Sequence, residues 1–190
     1  MTDEADMLTF DRRALALIRA DVARVADDEL TLPTPCDGWN IADVLEHMNR
    51  EHAAICGGGG GADLRARFEA IADRWRAFFD SAGDTVRVPK LSADLPTQSV
   101  LATHAADMLI HRWDLAAARG ETLSTPADLL ERAHSVADFV TAEGSPLVGP
   151  GGVYKPALAP VQGGDSFEAL LRKYGRNPKW APDERRRRVP

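Results

Sequence analysis

The clearest guide to the fold is residues 97–119, TQSVLATHAADMLIHRWDLAAAR, a stretch that is followed by Gly120. Glycine commonly ends helices, so this pattern predicts a helix from about Thr97 to Arg119. Within it, Asp107 and His111 are four residues apart and lie within about 40° of each other on one helical face. Imidazole and carboxylate together suit zinc, nickel, iron or manganese. The stretch therefore predicts half of a divalent-metal site.

A second helical segment offers a third ligand. Asn40 is a typical N-cap, and Asp43 at the third helical position makes an acidic variant of the capping box. Apolar residues continue at helical spacing to Ile55, and a glycine run at residues 57–61 follows. His47 lies in this segment. From spacing alone, a metal site and ordinary packing of the histidines stay open as equal interpretations.

Helical spacing also dominates the rest of the chain, and strand signals are almost absent. We expect a mostly α protein, a four-helix bundle with additional short helices and long loops, in one domain of 190 residues. Residues 83–96 and 144–164 are the long connections, and the first of them has room for a short strand. The predicted helices cover residues 7–30, 41–55, 64–79, 97–119, 126–142 and 166–174.

Composition excludes several classes of protein. The net charge of −6 argues against a general nucleic-acid binder, and the one basic run, Arg185 to Arg188, falls in an extended tail expected from about residue 176. No stretch approaches the ~20 apolar residues needed to cross a bilayer. The acidic N-terminus does not resemble a secretory signal, so we expect a cytoplasmic protein with reduced thiols at Cys36 and Cys56.

Four short motifs resemble those of a known family. LPTPCDGW at residues 32–39 and DVLEH at 43–47 are similar to the N-terminal signature of the mycothiol-dependent maleylpyruvate isomerase family. DMLIHRWDLA at 107–116 resembles its second signature, and GRNPKW at 175–180 resembles the closing segment of its short, single-domain members. The resemblance covers nearly the whole chain and implies the DinB-like metal-binding four-helix bundle.

Carried over residue by residue, the resemblance makes His47, Asp107 and His111 the metal ligands. It implies a divalent metal, with zinc expected first and nickel, iron or manganese as alternatives, and the low-molecular-weight thiol mycothiol. Asp107 stands where the isomerase type has Glu. Arg112 stands where Gly is common, a change expected to alter the mouth of the site.

Three neighbours of these ligands stay ambiguous in the sequence. His104 is an alternative ligand, a hydrogen-bond partner or a packing residue, and we favour the last two. Glu51 is an extra ligand, a base for bound water or a surface carboxylate, and we favour the last. Asp114 lies one turn past His111, where it is placed either to orient that ring or to make a capping or interhelical hydrogen bond.

The sequence leaves three functions open. The first is a metal-dependent thiol S-transferase or isomerase, in which the ion activates mycothiol toward a small electrophile. The second is a non-enzymatic metal- or small-ligand-binding bundle with a stress or sensor role. The third is a structural bundle whose histidines bind nothing. We expect a small-molecule substrate and a thiol as partners, no nucleic acid and no membrane, and a homodimer as one available assembly.

Overall fold

The computed structural model describes residues 4–61, 63–145, 147–149, 153–161 and 165–182. Helices dominate this part of the chain, so the expectation of a mostly α bundle is confirmed. A two-stranded antiparallel hairpin, β1 (Thr85–Val88) and β2 (Ala93–Pro96), accompanies them. The α-helices are α1 (Glu4–Ala23), α2 (Ile41–Cys56), α3 (Leu64–Phe79), α4 (Thr97–Arg119), α5 (Ala127–Val140) and α6 (Ser166–Lys173).

The first helix is shorter than its apolar spacing predicts. It ends at Ala23, and a separate 3-10 helix covers Asp27–Thr31. This second helix begins with three acidic residues, and the side chain of Glu29 accepts a hydrogen bond from the N–H of Ala26. Negative charge stabilises a helix N-terminus and destabilises a C-terminus. The acidic run therefore starts a new helix instead of continuing α1.

The ends of α2 and α4 follow the local sequence closely. The Asn40 side chain accepts from the N–H of Asp43, and the Asp43 carboxylate accepts from the N–H of Asn40, so the predicted capping box is confirmed. Gly120 ends α4 with φ at 71°, a left-handed conformation in which glycine is unstrained. These boundaries set which residues of each helix face the bundle interior.

The helices pack in an order that leaves space between α2 and α4. Helix α1 lies along α4 and also contacts α3, while α2 packs mainly on α3 and makes few direct contacts with α4. Helix α5 packs on α4, and α6 packs on α5. The largest fully buried side chains of the core are Trp75, Tyr174, Phe10, Phe68, Leu15 and Ile18. The gap between α2 and α4 is where the polar side chains of both helices meet.

The chain after α6 returns to the bundle. Tyr174 is fully buried and packs edge-on against Tyr154, with ring centroids 4.9 Å apart. Gly175 follows with φ at 70°, and a Cβ there would lie 2.6 Å from the Cβ of Lys155. The tail expected from about residue 176 does not begin there, because Arg176 points into the protein, where Asp114 binds it. The basic run 185–188 lies outside the described residues.

Candidate metal centre

The three sequence-predicted ligands come together between α2 and α4. His47 from α2, and Asp107 and His111 from α4, each place one ligand atom within 4.8 Å of the others. Two imidazoles and one carboxylate form a donor set that zinc and several other divalent ions accept. The sequence left open whether the two helices that carry these residues lie close together. In the structure they do, and the three side chains lie next to one another.

The ring of His111 is oriented by a partner on its own helix. Its Nδ1 lies 3.0 Å from Oδ2 of Asp114, which is fully buried and anionic, so Nδ1–H donates a hydrogen bond to the carboxylate. Its Nε2 lies 3.5 Å from Oδ2 of Asp107, which is too long for a well-formed hydrogen bond. This buried Nε2 has no hydrogen-bond partner in the described part of the chain. An unsatisfied ring nitrogen beside a carboxylate fits a metal ligand.

The three groups have different affinities for protons. Burial, together with the charge of nearby His111, lowers the pKa of His47 to about 4. Burial acts in the same direction on His111, but the negative charge of Asp107 outweighs it and raises that pKa to about 9. Burial disfavours the charge on Asp107, yet His111 lowers the pKa of Asp107 well below its ordinary range. At neutral pH the ion-free triad therefore holds one additional proton, on Nε2 of His111, which a cation would displace.

The ring of His47 lies between two aromatic neighbours. Its centroid is 5.1 Å from that of Trp39 and 5.3 Å from that of His111, to which it is nearly perpendicular at 70°. Glu51 does not join the triad. Its Oε1 lies 3.9 Å from Nδ1 of His47, and its Oε2 lies 3.4 Å from Nζ of Lys90. Glu51 thus forms an ion pair at the rim of the site.

A cavity of about 750 Å³ opens directly beside the triad. Helices α2 and α4 line it from two sides, and residues of the β1–β2 hairpin and of the connection after α5 complete the wall. His47 and Asp107 are part of its wall. Most of the remaining wall is apolar, for example Trp75, Val100 and Met108. A metal ion at the triad would therefore have free space next to it.

Comparison with known proteins places this chain in a family. A family model described as mycothiol maleylpyruvate isomerase N-terminal domain matches residues 12–57. Two uncharacterized proteins of Mycobacterium tuberculosis, from strains CDC 1551 / Oshkosh and H37Rv, are each 32% identical over 133 residues, which cover 65% of this chain and 73% of the relative. The chain belongs to the mycothiol maleylpyruvate isomerase N-terminal domain family. No solved structure matches it.

The family match and the geometry support different halves of the site. The matched residues contain α2 with His47 and end at Gly57, well before α4 begins. Asp107 and His111 are therefore assigned to the site by their position in the structure and by the sequence motif around them. Within the described helices, none combines the length and apolar character needed to cross a bilayer.

Two residues that the sequence did not point to contact Asp114 and support His111 through it. Arg176, from the segment after α6, donates from Nε and Nη2 to the two oxygens of Asp114, both at 2.9 Å. The Sγ of Cys36 lies 3.4 Å from the same carboxylate, and burial and Asp114 raise the pKa of this thiol to about 12. Cys36 is thus a protonated thiol in this network. The GRNPKW motif was the available signal for Arg176, but a motif does not tell where a segment docks.

His104 belongs to a separate buried network and not to the triad. Its Nδ1 is paired with Asp11 of α1, and its Nε2 lies 2.8 Å from Nε2 of His52. The indole of Trp75 stacks on the His104 ring at 4.0 Å and donates from Nε1 to Asp11 at 3.0 Å. Of the three roles open in the sequence, His104 has that of a hydrogen-bond partner. Spacing along α4 could not reveal this, since the partners come from α1, α2 and α3.

The expectation that Arg112 alters the mouth of the site is wrong. Its Nε donates to Oδ2 of Asp21 on α1 at 2.6 Å, and both residues are buried. Successive side chains along a helix are turned by about 100° around its axis, so Arg112 points away from the face that carries His111. Arg112 joins α4 to α1 and is not among the residues that line the cavity.

Proposed function

We propose that this protein is a divalent-metal-dependent enzyme that activates a low-molecular-weight thiol, mycothiol, for transfer to a small electrophile or for its isomerisation. The observation that carries the proposal is the triad of His47, Asp107 and His111 at the wall of a 750 Å³ cavity. Catalytic metal sites keep a position open for substrate, whereas structural sites are closed by protein ligands. The family of the chain supports mycothiol as the thiol.

The residues of the site fit a divalent ion in charge as well as in geometry. A neutral His47, an anionic Asp107 and an Nε2 of His111 without a hydrogen-bond partner in the described chain form a donor set of two nitrogens and one oxygen. The ion would supply a Lewis acid that favours the thiolate form of a bound thiol, which is the stronger nucleophile. Asp114 holds the Nδ1 proton of His111 and thereby keeps Nε2 turned toward the site.

The cavity supports an enzyme over a purely metal-storing or sensing bundle. A non-enzymatic site needs no room beside its ion, yet here apolar space lies next to two of the three ligands. Trp75 and the β1–β2 hairpin keep this space partly shielded from solvent. Such shielding strengthens electrostatic interactions with a reacting molecule. We place the second reactant, the electrophile, in this cavity.

The ligand assignment is tested by the metal content of variants. Protein purified without an affinity tag is analysed by elemental mass spectrometry, as wild type, His47→Ala, Asp107→Asn and His134→Ala. His134 is a matched control, because it bonds Ser166 at the start of α6 and belongs neither to the triad nor to the cavity lining. We expect about one ion per chain in wild type and His134→Ala, and strong loss in the other two. Equal metal content in all four proteins removes the triad from the assignment.

The thiol chemistry is tested separately. Metal-loaded protein is mixed with mycothiol and a panel of electrophiles, with His47→Ala as the control. Both the loss of free thiol and the isomerisation of the electrophile are followed, because isomerisation returns the thiol. Acceleration by wild type alone is the expected result. A protein that binds its ion and yet accelerates none of these reactions is a metal-binding bundle without the proposed activity.

A further inference from the structure

The charge of the cavity wall limits what the second reactant can be. Lys90 is the only lysine or arginine among the described residues that line the cavity. Its Nζ lies 3.4 Å from Oε2 of Glu51, so a carboxylate of the protein already offsets part of its charge; Oε1 of Glu51 also lies 3.4 Å from Nη2 of Arg50, which does not line the cavity. Two further acidic residues, Asp107 and Glu143, line the same space. The wall therefore has no lysine or arginine in its described part that is free to bind an incoming anion.

The two histidines inside the cavity are also engaged. The Nε2 atoms of His52 and His104 face each other at 2.8 Å, and Nδ1 of His104 is paired with Asp11. Burial lowers the pKa of His52 well below its ordinary value, so this ring is neutral. With the hydrogen on Nδ1 of His104 donated to Asp11, Nε2 of His104 accepts from Nε2 of His52. Nδ1 of His52, which has no hydrogen-bond partner in the described chain, is then an acceptor and does not bind an anion. The two rings contribute a neutral polar patch to the wall.

Charge balance at the triad then permits only one anionic group. A divalent ion beside the negative charge of Asp107 leaves one positive charge, which one thiolate or one carboxylate neutralises. A second carboxylate on the reactant would lie against side chains such as Val100, Leu95 and Met108. Burying a carboxylate without a partner is strongly unfavourable. An uncharged apolar group gains free energy from the same contact.

We propose that the cavity takes a reactant with an uncharged, mostly apolar body and at most one anionic group, which occupies the triad only when no thiolate does, and that it excludes dicarboxylates. This inference rests on the proposed function, since it places the polar end of the reactant at the metal. It distinguishes the reactant of this chain from maleylpyruvate, the dicarboxylate that appears in the name of its family. The size of the cavity, about 750 Å³, accommodates a ring-sized body together with the reactive part of a thiol.

The proposal is tested with three aromatic probes of nearly the same shape. Metal-loaded protein of known metal content is titrated calorimetrically with benzoate, terephthalate and the monoamide of terephthalate. Each probe offers one carboxylate to the ion, and the last two differ only in whether the far group is charged. We expect terephthalate to bind about tenfold or more weakly than its monoamide. Benzoate is expected to bind like the monoamide or better.

Two variants locate the binding. Leu91 lines the cavity and is 42% exposed, so Leu91→Glu adds a charge to the wall without disturbing the core. Leu158 is similarly exposed, at 38%, but does not line the cavity, and Leu158→Glu is the matched control. Benzoate binding is expected to weaken at least about threefold in Leu91→Glu, because apolar contact is lost and like charges meet. It stays unchanged in Leu158→Glu.

The outcomes separate this inference from the proposed function. Terephthalate binding as tightly as its monoamide would overturn the inference, and loss of that affinity in Lys90→Met would identify Lys90 as the recognition group. Failure of all three probes to bind metal-loaded protein would overturn it as well. A protein that holds no metal contradicts the proposed function, while the ratio between terephthalate and monoamide still reports the charge tolerance of the cavity.

Discussion

The strongest quantitative prediction concerns Asp114, which links the metal ligand His111 to the closing segment of the chain. Asp114→Asn keeps the size of the side chain and removes its charge. His111 then donates from Nδ1 to an amide or loses its acceptor, and Arg176 loses an anionic partner bound at 2.9 Å through two nitrogens. Substitutions of such supporting partners weaken metal binding by about tenfold to a hundredfold, or about 1.4 to 2.7 kcal/mol.

The same substitution also lowers stability, so a control is needed. Leaving a buried cation such as Arg176 without its anionic partner lowers the free energy of unfolding by about 3 kcal/mol or more. Asp21→Asn breaks a comparable buried pair, Asp21 with Arg112 at 2.6 Å, and neither residue lines the cavity. Metal dissociation constants are measured by chelator competition, and the free energy of unfolding by urea titration of the ion-free proteins.

The expected pattern is a similar loss of stability in both variants and a loss of metal affinity in Asp114→Asn alone. Equal metal affinity in the two variants would refute the reasoning, because it would mean that Asp114 supports the fold and not the orientation of His111. A greater loss of affinity in Asp21→Asn would refute it as well.

Three further outcomes follow from the structure. Metal affinity should rise about tenfold per pH unit from about pH 6 to about pH 9, because metal binding displaces a proton from His111, whose pKa is raised to about 9. His47, with a pKa of about 4, is already neutral in this range and does not change the pH dependence. Metal dissociation constants that do not vary with pH would contradict this prediction. Trp75→Phe should lower the free energy of unfolding by about 1–3 kcal/mol, because buried Asp11 loses the indole N–H, and metal content should not change. Gly175→Ala should lower it by at least about 1 kcal/mol, as φ is 70° and the Cβ would meet Lys155 and Pro156, and a melting temperature equal to wild type would exclude this strain.

Local patterns in the sequence predict the helices well. The third and fourth helices begin and end at the predicted residues, and the capping box of α2 and the glycine that ends α4 have the expected geometry. The error at the end of α1 has a local cause too, since apolar spacing continues past Ala23 while the acidic run after it favours a new N-terminus. The spacing of apolar residues predicts which face of a helix is buried, and the positions of charged residues predict where the helix ends.

Pairs on a single helix were equally predictable. Asp107 and His111 share a face because four residues make about one turn, and Asp114 reaches His111 because three residues nearly do. Helical spacing alone could not show that His47 faces them, since the sequence between the two helices does not state which faces meet. The family motifs supplied that expectation, and whether the triad binds metal stays a prediction that the variants above test.

Backbone propensity, capping and spacing were enough to assign the helices and the residues that share a face of α4, because these depend on neighbours within a turn or two. Three features required the folded chain: the gap between α2 and α4, the docking of Arg176 onto Asp114, and the pairing of His104 with His52 and Asp11. Each joins residues more than 50 positions apart, and such contacts arise from how the helices pack around Trp75 and its neighbours. Packing geometry, and not the pattern of any one helix, therefore creates the space in which the proposed chemistry takes place.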